Sequence, residues 1–305
     1  MFSAGLPRAF GIDMYKNIAQ NKRRTVIIMV GFVLLIAAIA AIFAYVYGDP
    51  MIAVWTVVVA TIYAVIQYFC AGSLATAMTG AREIQKKDNP RLYNTVENLS
   101  ITTGLPMPKV YIIDDPAPNA FATGRDPKHA IVAATTGLLD IMDNKELTAV
   151  MAHEMSHVKN YDIRVSMIVF GLVCVVGLIS DMAYRMMYYG SRRRDEEGSP
   201  MGYLLLMFAA VFAPLVAAVA QMAVSRQREY LADASAVHIT RYPEGMIAAL
   251  KKLQNHAQPM RNQNVAAASM YINDPLRKGF FSNLMSTHPP IEKRIERLEN
   301  GKKSF

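Results

Sequence analysis

Apolar residues along this chain are gathered into four long runs separated by polar stretches. The first run, Val26 to Tyr47, carries no charge and follows Lys22-Arg23-Arg24. Its length is close to the roughly 20 residues a helix needs to cross the hydrocarbon of a bilayer. A secretory signal peptide is the competing reading, but its apolar core would be about 7–15 residues long and would precede a small-residue cleavage site. An uncleaved anchor is the better fit. Gly48-Asp49-Pro50 then breaks the helix with turn chemistry, and a second uncharged run continues from Met51 to about Met78. Together the two runs predict a tight transmembrane hairpin. Lys16, Lys22, Arg23 and Arg24 precede it and Arg82, Lys86, Lys87 and Arg91 follow it, whereas the connection has neither Lys nor Arg. The positive-inside rule therefore puts both outer flanks in the cytoplasm.

From Thr79 to Asp162 the pattern is polar and mixed. Lys109 to Asp114, Ala120 to Thr123 and Ala130 to Thr135 are β-rich, punctuated by Pro and Gly, and predict a small sheet. Asp143 stands three residues before Glu146, the spacing of a capping box, so a helix is expected from there to about Asn160. Two further apolar runs, about Ile163 to Tyr189 and Met201 to Val224, enclose the polar loop Ser191 to Pro200. Asp181 and Arg185 interrupt the third run and Pro214 the fourth. Arg192-Arg193-Arg194 would lie outside if both helices crossed fully, against the positive-inside expectation. A second hairpin is the primary reading, with incomplete crossing or partial packing on the catalytic part as its alternative. The remainder, Ser225 to Phe305, is polar with a helical pattern. Four segments follow: residues 1–78, with helices at about 26–47 and 51–78; 79–162; 163–224; and 225–305.

Composition supports a membrane setting. Of 305 residues 53% are hydrophobic and 18% charged, with a mean hydropathy of +0.19, too apolar for an ordinary soluble domain. Cys70 and Cys174 lie far apart inside apolar runs, so no disulfide framework or paired-cysteine site is expected. The formal charge of +8 comes from Lys and Arg that are scattered or flank apolar segments. That distribution suits anionic lipid headgroups better than tracking nucleic-acid phosphates, and nucleic acid is not an expected partner.

The expected helix after Asp143 carries His153-Glu154-Met155-Ser156-His157. Residues four apart share a helix face, so His153 and His157 can offer two imidazoles to one ion with Glu154 beside them. Neutral imidazole suits zinc, and a catalytic zinc keeps three protein ligands with water in its fourth position. Glu154 would then take a proton from that water and pass it to a leaving amine. The motif fixes only three positions, and the bland reading is a helix with two surface histidines. A third ligand should come from another helix, and Glu229 with Asp233, one turn apart, has the required spacing. Glu229 would bind the metal while Asp233 accepts a hydrogen bond from His153 or His157. The alternative is a solvated helix face partnered by Arg226 and Arg228; coexistence with the histidine motif favours the ligand reading. His129, His238 and His256 lack partners at ligand spacing, and most of the 20 methionines fall in apolar runs, where packing explains them.

With these residues in place the chain resembles the HtpX family of membrane zinc metalloproteases, glutamate-ligand zinc peptidases related to the CaaX prenyl proteases. The resemblance rests on the N-terminal apolar pair, Pro118 to Gly124, Ala152 to Asp162, Ser225 to Asp233, and Thr287-His288-Pro289-Pro290 followed by Arg294. It implies that Asn119, Ala120, Phe121 and Ala122 line the cleft and pair with an extended substrate by strand addition; an internal strand ended by Gly124 is the alternative. It also implies that His288 and Arg294 stabilise the oxyanion, although His288 equally suits a helix start followed by prolines.

The fold expected is an α+β integral membrane protein, mostly helical, with about four transmembrane or membrane-associated helices and a zincin-like catalytic domain containing a small β-sheet. One Zn2+ per subunit is expected. The resemblance implies a multi-pass protein of the cytoplasmic (inner) membrane, its site facing the cytoplasm, that hydrolyses misfolded or damaged membrane proteins. A zinc-bearing scaffold that binds clients without cutting them is the alternative from another class. A small transporter, suggested by Asp181 and Arg185 within an apolar run, is a third.

Overall fold

The structure is a computed structural model that describes residues 19–21, 23, 25–31, 33–34, 37, 41, 44–45, 48–190, 226–264, 266–276 and 289–301. The fourth apolar run, the loop 191–200, His288 and much of the first run lie outside those residues. Residues 19–21 and 25–31 are helical, and the next helix, α1 (Met51–Thr79), follows the turn at Gly48-Asp49-Pro50.

A four-stranded sheet sits at the centre, in the order β1 (Arg82–Glu83), β2 (Lys109–Ile113), β4 (Ala130–Thr135), β3 (Ala120–Gly124). β2 runs parallel to β4, and the other two pairings are antiparallel. The three longer strands match the β-rich segments of the sequence. The two-residue β1 was not foreseen, being too short to show an alternating pattern. α2 (Pro90–Thr103) lies between β1 and β2, capped by the Asn89 side chain, which accepts from the Leu92 N–H. Successive side chains of a strand point to opposite faces, and β3 shows the result. Ala120 and Ala122 pack with Leu92, Val96, Met151, Met155 and Leu250 in the larger core, while Phe121 packs with Ala75, Phe170 and Tyr271 in the smaller.

After the short α3 (Thr136–Ile141), Asp143 opens α4 (Asn144–Lys159) with the capping box its spacing predicts. Its carboxylate accepts from the N–H groups of Lys145 and Glu146 at 2.7 and 2.8 Å, and the Glu146 side chain accepts from the Asp143 N–H. Arg91 donates to the carbonyls of Leu139 and Met142, satisfying groups that the end of α3 leaves open. Lys252, on α7 (Pro243–Asn255), donates to the Ile141 carbonyl and to Glu146. α4 is buried nearly all round, because α2, α6 (Arg226–Thr240), α7 and β3 enclose it. Truncating Leu147 or Met151 to Ala would therefore cost about 2–5 kcal/mol.

α5 (Asp162–Gly190) begins with residues that belong to the core: Ile163, Val165 and Met167 to Phe170 are buried. It meets α1 at Gly171, where an added Cβ would stand 1.7 Å from Gln67 Nε2. At this contact the Tyr63 hydroxyl donates to the Gly171 carbonyl and Gln67 to that of Met167. α1 itself bends by 70° between Val54–Cys70 and Gly72–Thr79. Among the described residues no single helix is long and apolar enough to cross a membrane, and the limbs of α1 meet that test only as a pair. The first limb nonetheless carries Trp55, Val59, Ile62, Ile66 and Phe69 more than half exposed. α8 (Ile291–Gly301) follows Pro289-Pro290 and packs on α6 and α7.

Candidate metal centre

α4 and α6 form the most extensive helix–helix contact of the described fold, and their facing side chains make the site. His153 and His157, one turn apart on α4, bring their Nε2 atoms to 3.2 Å of each other. Glu229 on α6 completes the group: its Oε2 is 3.6 Å from His153 Nε2 and its Oε1 3.6 Å from His157 Nε2. One ligand atom from each of the three residues lies within 4.8 Å of the others. Two imidazole nitrogens and a carboxylate converging in this way form the donor set that zinc prefers, so the residues present fit such an ion.

Each imidazole is held from behind. Asp233, one turn after Glu229, approaches His153 Nδ1 at 2.9 Å, and Asp162 approaches His157 Nδ1 at 3.0 Å. An acid at Nδ1 keeps the proton there and leaves the Nε2 lone pair facing inward. The sequence left open which histidine Asp233 serves; the geometry assigns it to His153. Asp162 had no role in the sequence reading. It follows the end of α4, where Tyr161 takes a left-handed backbone (φ 61°) that turns the chain back toward His157. Its only sequence signal is an acid five residues after the second histidine. Arg228, a surface partner only in the alternative of a solvated helix face, donates to Asp162 Oδ1 at 3.2 Å, and Asn21 donates to the same oxygen at 2.7 Å and to the Asn160 carbonyl.

Arg294 is 1% exposed and forks onto Asp233, with Nε donating to Oδ2 at 2.8 Å and an η-nitrogen to Oδ1 at 2.6 Å. That nitrogen is 3.4 Å from His153 Nδ1, and the other has no hydrogen-bond partner among the described residues. Arg294 thus reaches the cluster through Asp233. Burial opposes ionisation of Asp233, but the Arg294 charge and the His153 bond hold its carboxyl down at about 2. Burial would likewise lower His153, yet its bonds to Asp233 and Glu229 lift it to about 9.

Glu154, also buried, lines the cavity in front of the cluster with Ala122, His157, Glu229, Ser269 and Met270. β3 is the sheet's edge strand, as strand addition requires, but this chain already occupies part of that edge. Ile272 N–H donates to the Ala120 carbonyl at 2.9 Å, Phe121 bridges to Tyr271, and Asn119 exchanges two hydrogen bonds with the Asn273 backbone. Buried backbone groups need partners, and at Asn119, Ala120 and Phe121 residues 271–273 supply the contacts. Ala122 faces the cavity.

Peptidase family M48 matches residues 86–302, a stretch containing every candidate site residue named above except Asn21. A Protease HtpX homolog of Tropheryma whipplei (strain Twist) is 53% identical over 292 residues, covering 96% of this chain and 100% of that one. A Protease HtpX homolog of Limosilactobacillus fermentum is 49% identical over 303 residues, covering 94% and 99%. Among solved structures, the crystal structure of S. mikatae Ste24p aligns over 94% of this chain and 67% of that one, at 19% identity and a TM-score of 0.49.

Proposed function

The chain belongs to peptidase family M48, and from that premise we propose that this metalloprotease is a membrane-bound zinc endopeptidase acting on misfolded or damaged membrane proteins. The observation that carries the reaction is the convergence of His153, His157 and Glu229, with an acid behind each imidazole. These three residues would hold one Zn2+. When bound, the ion supplies Lewis acidity toward the scissile carbonyl and acidifies a water.

Glu154 is the general base: it accepts a proton from the attacking water as the new C–O bond forms, then delivers it to the amine nitrogen as the C–N bond breaks. Asp233 and Asp162 fix the imidazole tautomers, and Arg294 fixes Asp233. His288 and Arg294 are assigned to oxyanion stabilisation on family resemblance, where a donor aimed at developing charge contributes a few kcal/mol. Asn119 to Ala122 are assigned to substrate alignment on the same basis.

The membrane reading is supported by the exposed apolar side of α1, because a contiguous patch of this kind on a soluble protein is rare. Basic flanks on both sides of the first hairpin support a site facing the cytoplasm. Placed so, the cleft would meet cytosolic loops and ends of membrane proteins.

The test is metal analysis together with cleavage of casein and of a membrane-protein substrate by detergent-purified wild type and Glu154→Gln. The wild type should cut and carry zinc, and the variant should carry zinc without cutting. Undiminished cleavage by purified Glu154→Gln would overturn the mechanism.

A further inference from the structure

A cavity of about 230 Å³, sharing no lining residue with the one at the metal cluster, lies between the bend of α1 and the sheet. Tyr68, Phe69, Gly72 and Ser73 form its helix wall, directly at the 70° bend. Lys109 from β2 and the turn Gly124 to His129 form the opposite wall. Gly124 takes φ 136°, and a Cβ there would stand 2.3 Å from the His129 carbonyl, so the turn closes tightly and presents its basic side chains together.

Among the described residues three full cations, Lys109, Arg125 and Lys128, line the cavity and no carboxylate does. Glu83, which pairs with Lys109, and Asp126, which pairs with Arg125 and His129, stand outside the lining. Lys128 has no acidic partner among the described residues. Arg125 is held in place, with its guanidinium 5.0 Å from the Phe69 ring centroid and an η-nitrogen 2.7 Å from His129 Nε2. Ser73 and Tyr111 belong to the same walls, the Tyr111 phenol donating to Glu83 at 3.1 Å.

Phe69 belongs both to this cavity and to the exposed apolar face of α1, being 60% exposed, with Ile66 and Val65 on the same limb. An acyl chain lying along that face and an anionic head in the cavity would thus be continuous. We propose that the cavity binds the phosphate of an anionic phospholipid, such as phosphatidylglycerol, with Lys109, Arg125 and Lys128 around the phosphate and the acyl chains along Phe69 and Ile66. The proposal rests on the membrane reading above. A bend placed at headgroup depth, with aromatic residues above and basic residues below, is how a helix leaves a bilayer to meet a cytosolic domain.

The experiment uses the full chain reconstituted in vesicles of equal phosphatidylglycerol and phosphatidylcholine, followed by native mass spectrometry of the lipid retained after detergent release. Wild type should retain phosphatidylglycerol preferentially. Lys109→Gln and Lys128→Gln, both at exposed side chains, should each lower the preference about fivefold, as expected for one cation near a lipid surface. Their double variant should lose it, while casein cleavage persists as the check on folding. Unchanged preference in the double variant, or displacement of the lipid by millimolar inorganic phosphate alone, would overturn the proposal. Release of the wild type from vesicles by alkaline carbonate would instead defeat the membrane reading on which it rests.

Discussion

Asp162 stands 3.0 Å from His157 Nδ1 although α4 ends between them and the chain must reverse at Tyr161 to bring them together. This pairing gives His157 what Asp233 gives His153. Asp162→Asn keeps an acceptor but removes the charge, and Asp162→Ala removes both. Metal affinity, measured by competition with a chromogenic chelator, should fall about 10–100-fold in the Ala variant, with a smaller loss in Asn. Unchanged affinity in both variants would mean that Asp162 is merely structural.

Arg294 and Asp233 form a fully buried ion pair. Removing one partner of such a pair leaves an uncompensated charge and costs about 3–5 kcal/mol. Arg294→Ala should therefore lower the melting temperature sharply, whereas Arg294→Ala combined with Asp233→Asn should cost much less than the sum of the two single changes. Additive losses would show that the two residues act independently, favouring a direct oxyanion role for Arg294.

Metal removal should act on stability as well as on turnover. A ligand that binds only the folded state, present at about 100 times its dissociation constant, adds about 2.7 kcal/mol. Chelator-treated protein should melt earlier and regain its transition on titration with zinc. A melting curve indifferent to chelator and to zinc would argue against the cluster as a metal site.

The Asp143 cap predicts a pH dependence away from the metal. Backbone N–H bonds from Glu146 and Lys145 hold its carboxyl below the usual range. The unfolded chain binds this proton more readily than the folded one, so the contribution of the cap is complete above the unfolded value of about 3.9 and is lost as pH falls through the lower folded value. Asp143→Asn should keep the cap and flatten the melting temperature between about pH 5 and 3. Asp143→Ala should cost about 1 kcal/mol at neutral pH. An Asn variant with the wild-type acid profile would place the acid sensitivity elsewhere.

Much of the catalytic fold was legible because it rests on local rules. The capping box, the β-rich segments and the helical spacing of His153 and His157 each depend on a few neighbouring residues, and each appears as a named element. Glu229 and Asp233 were readable as a pair because one helical turn links them. What could not be read depended on contacts remote in sequence. Asn21 reaches Asp162 across 141 positions, and residues 271–273 reach β3 across about 150. Neither segment bears a motif, and their partners are backbone groups, the Asn119 amide or a carboxylate without a role in the sequence reading. The early part of α5 illustrates the same limit. Its apolar run reads alike whether it faces lipid or core, and in the fold its residues from Ile163 to Phe170 are largely core.

Asn21 has a practical consequence for anyone dissecting this protein. It precedes both early apolar runs, yet its amide donates to Asp162 Oδ1 and to the Asn160 carbonyl, just behind the His157 imidazole. A fragment cut at the start of the family match, near residue 86, would look like a tidy soluble protease on paper. It would lack the amide that steadies Asp162, and a weak metal site in such a fragment would report on the cut rather than on the enzyme.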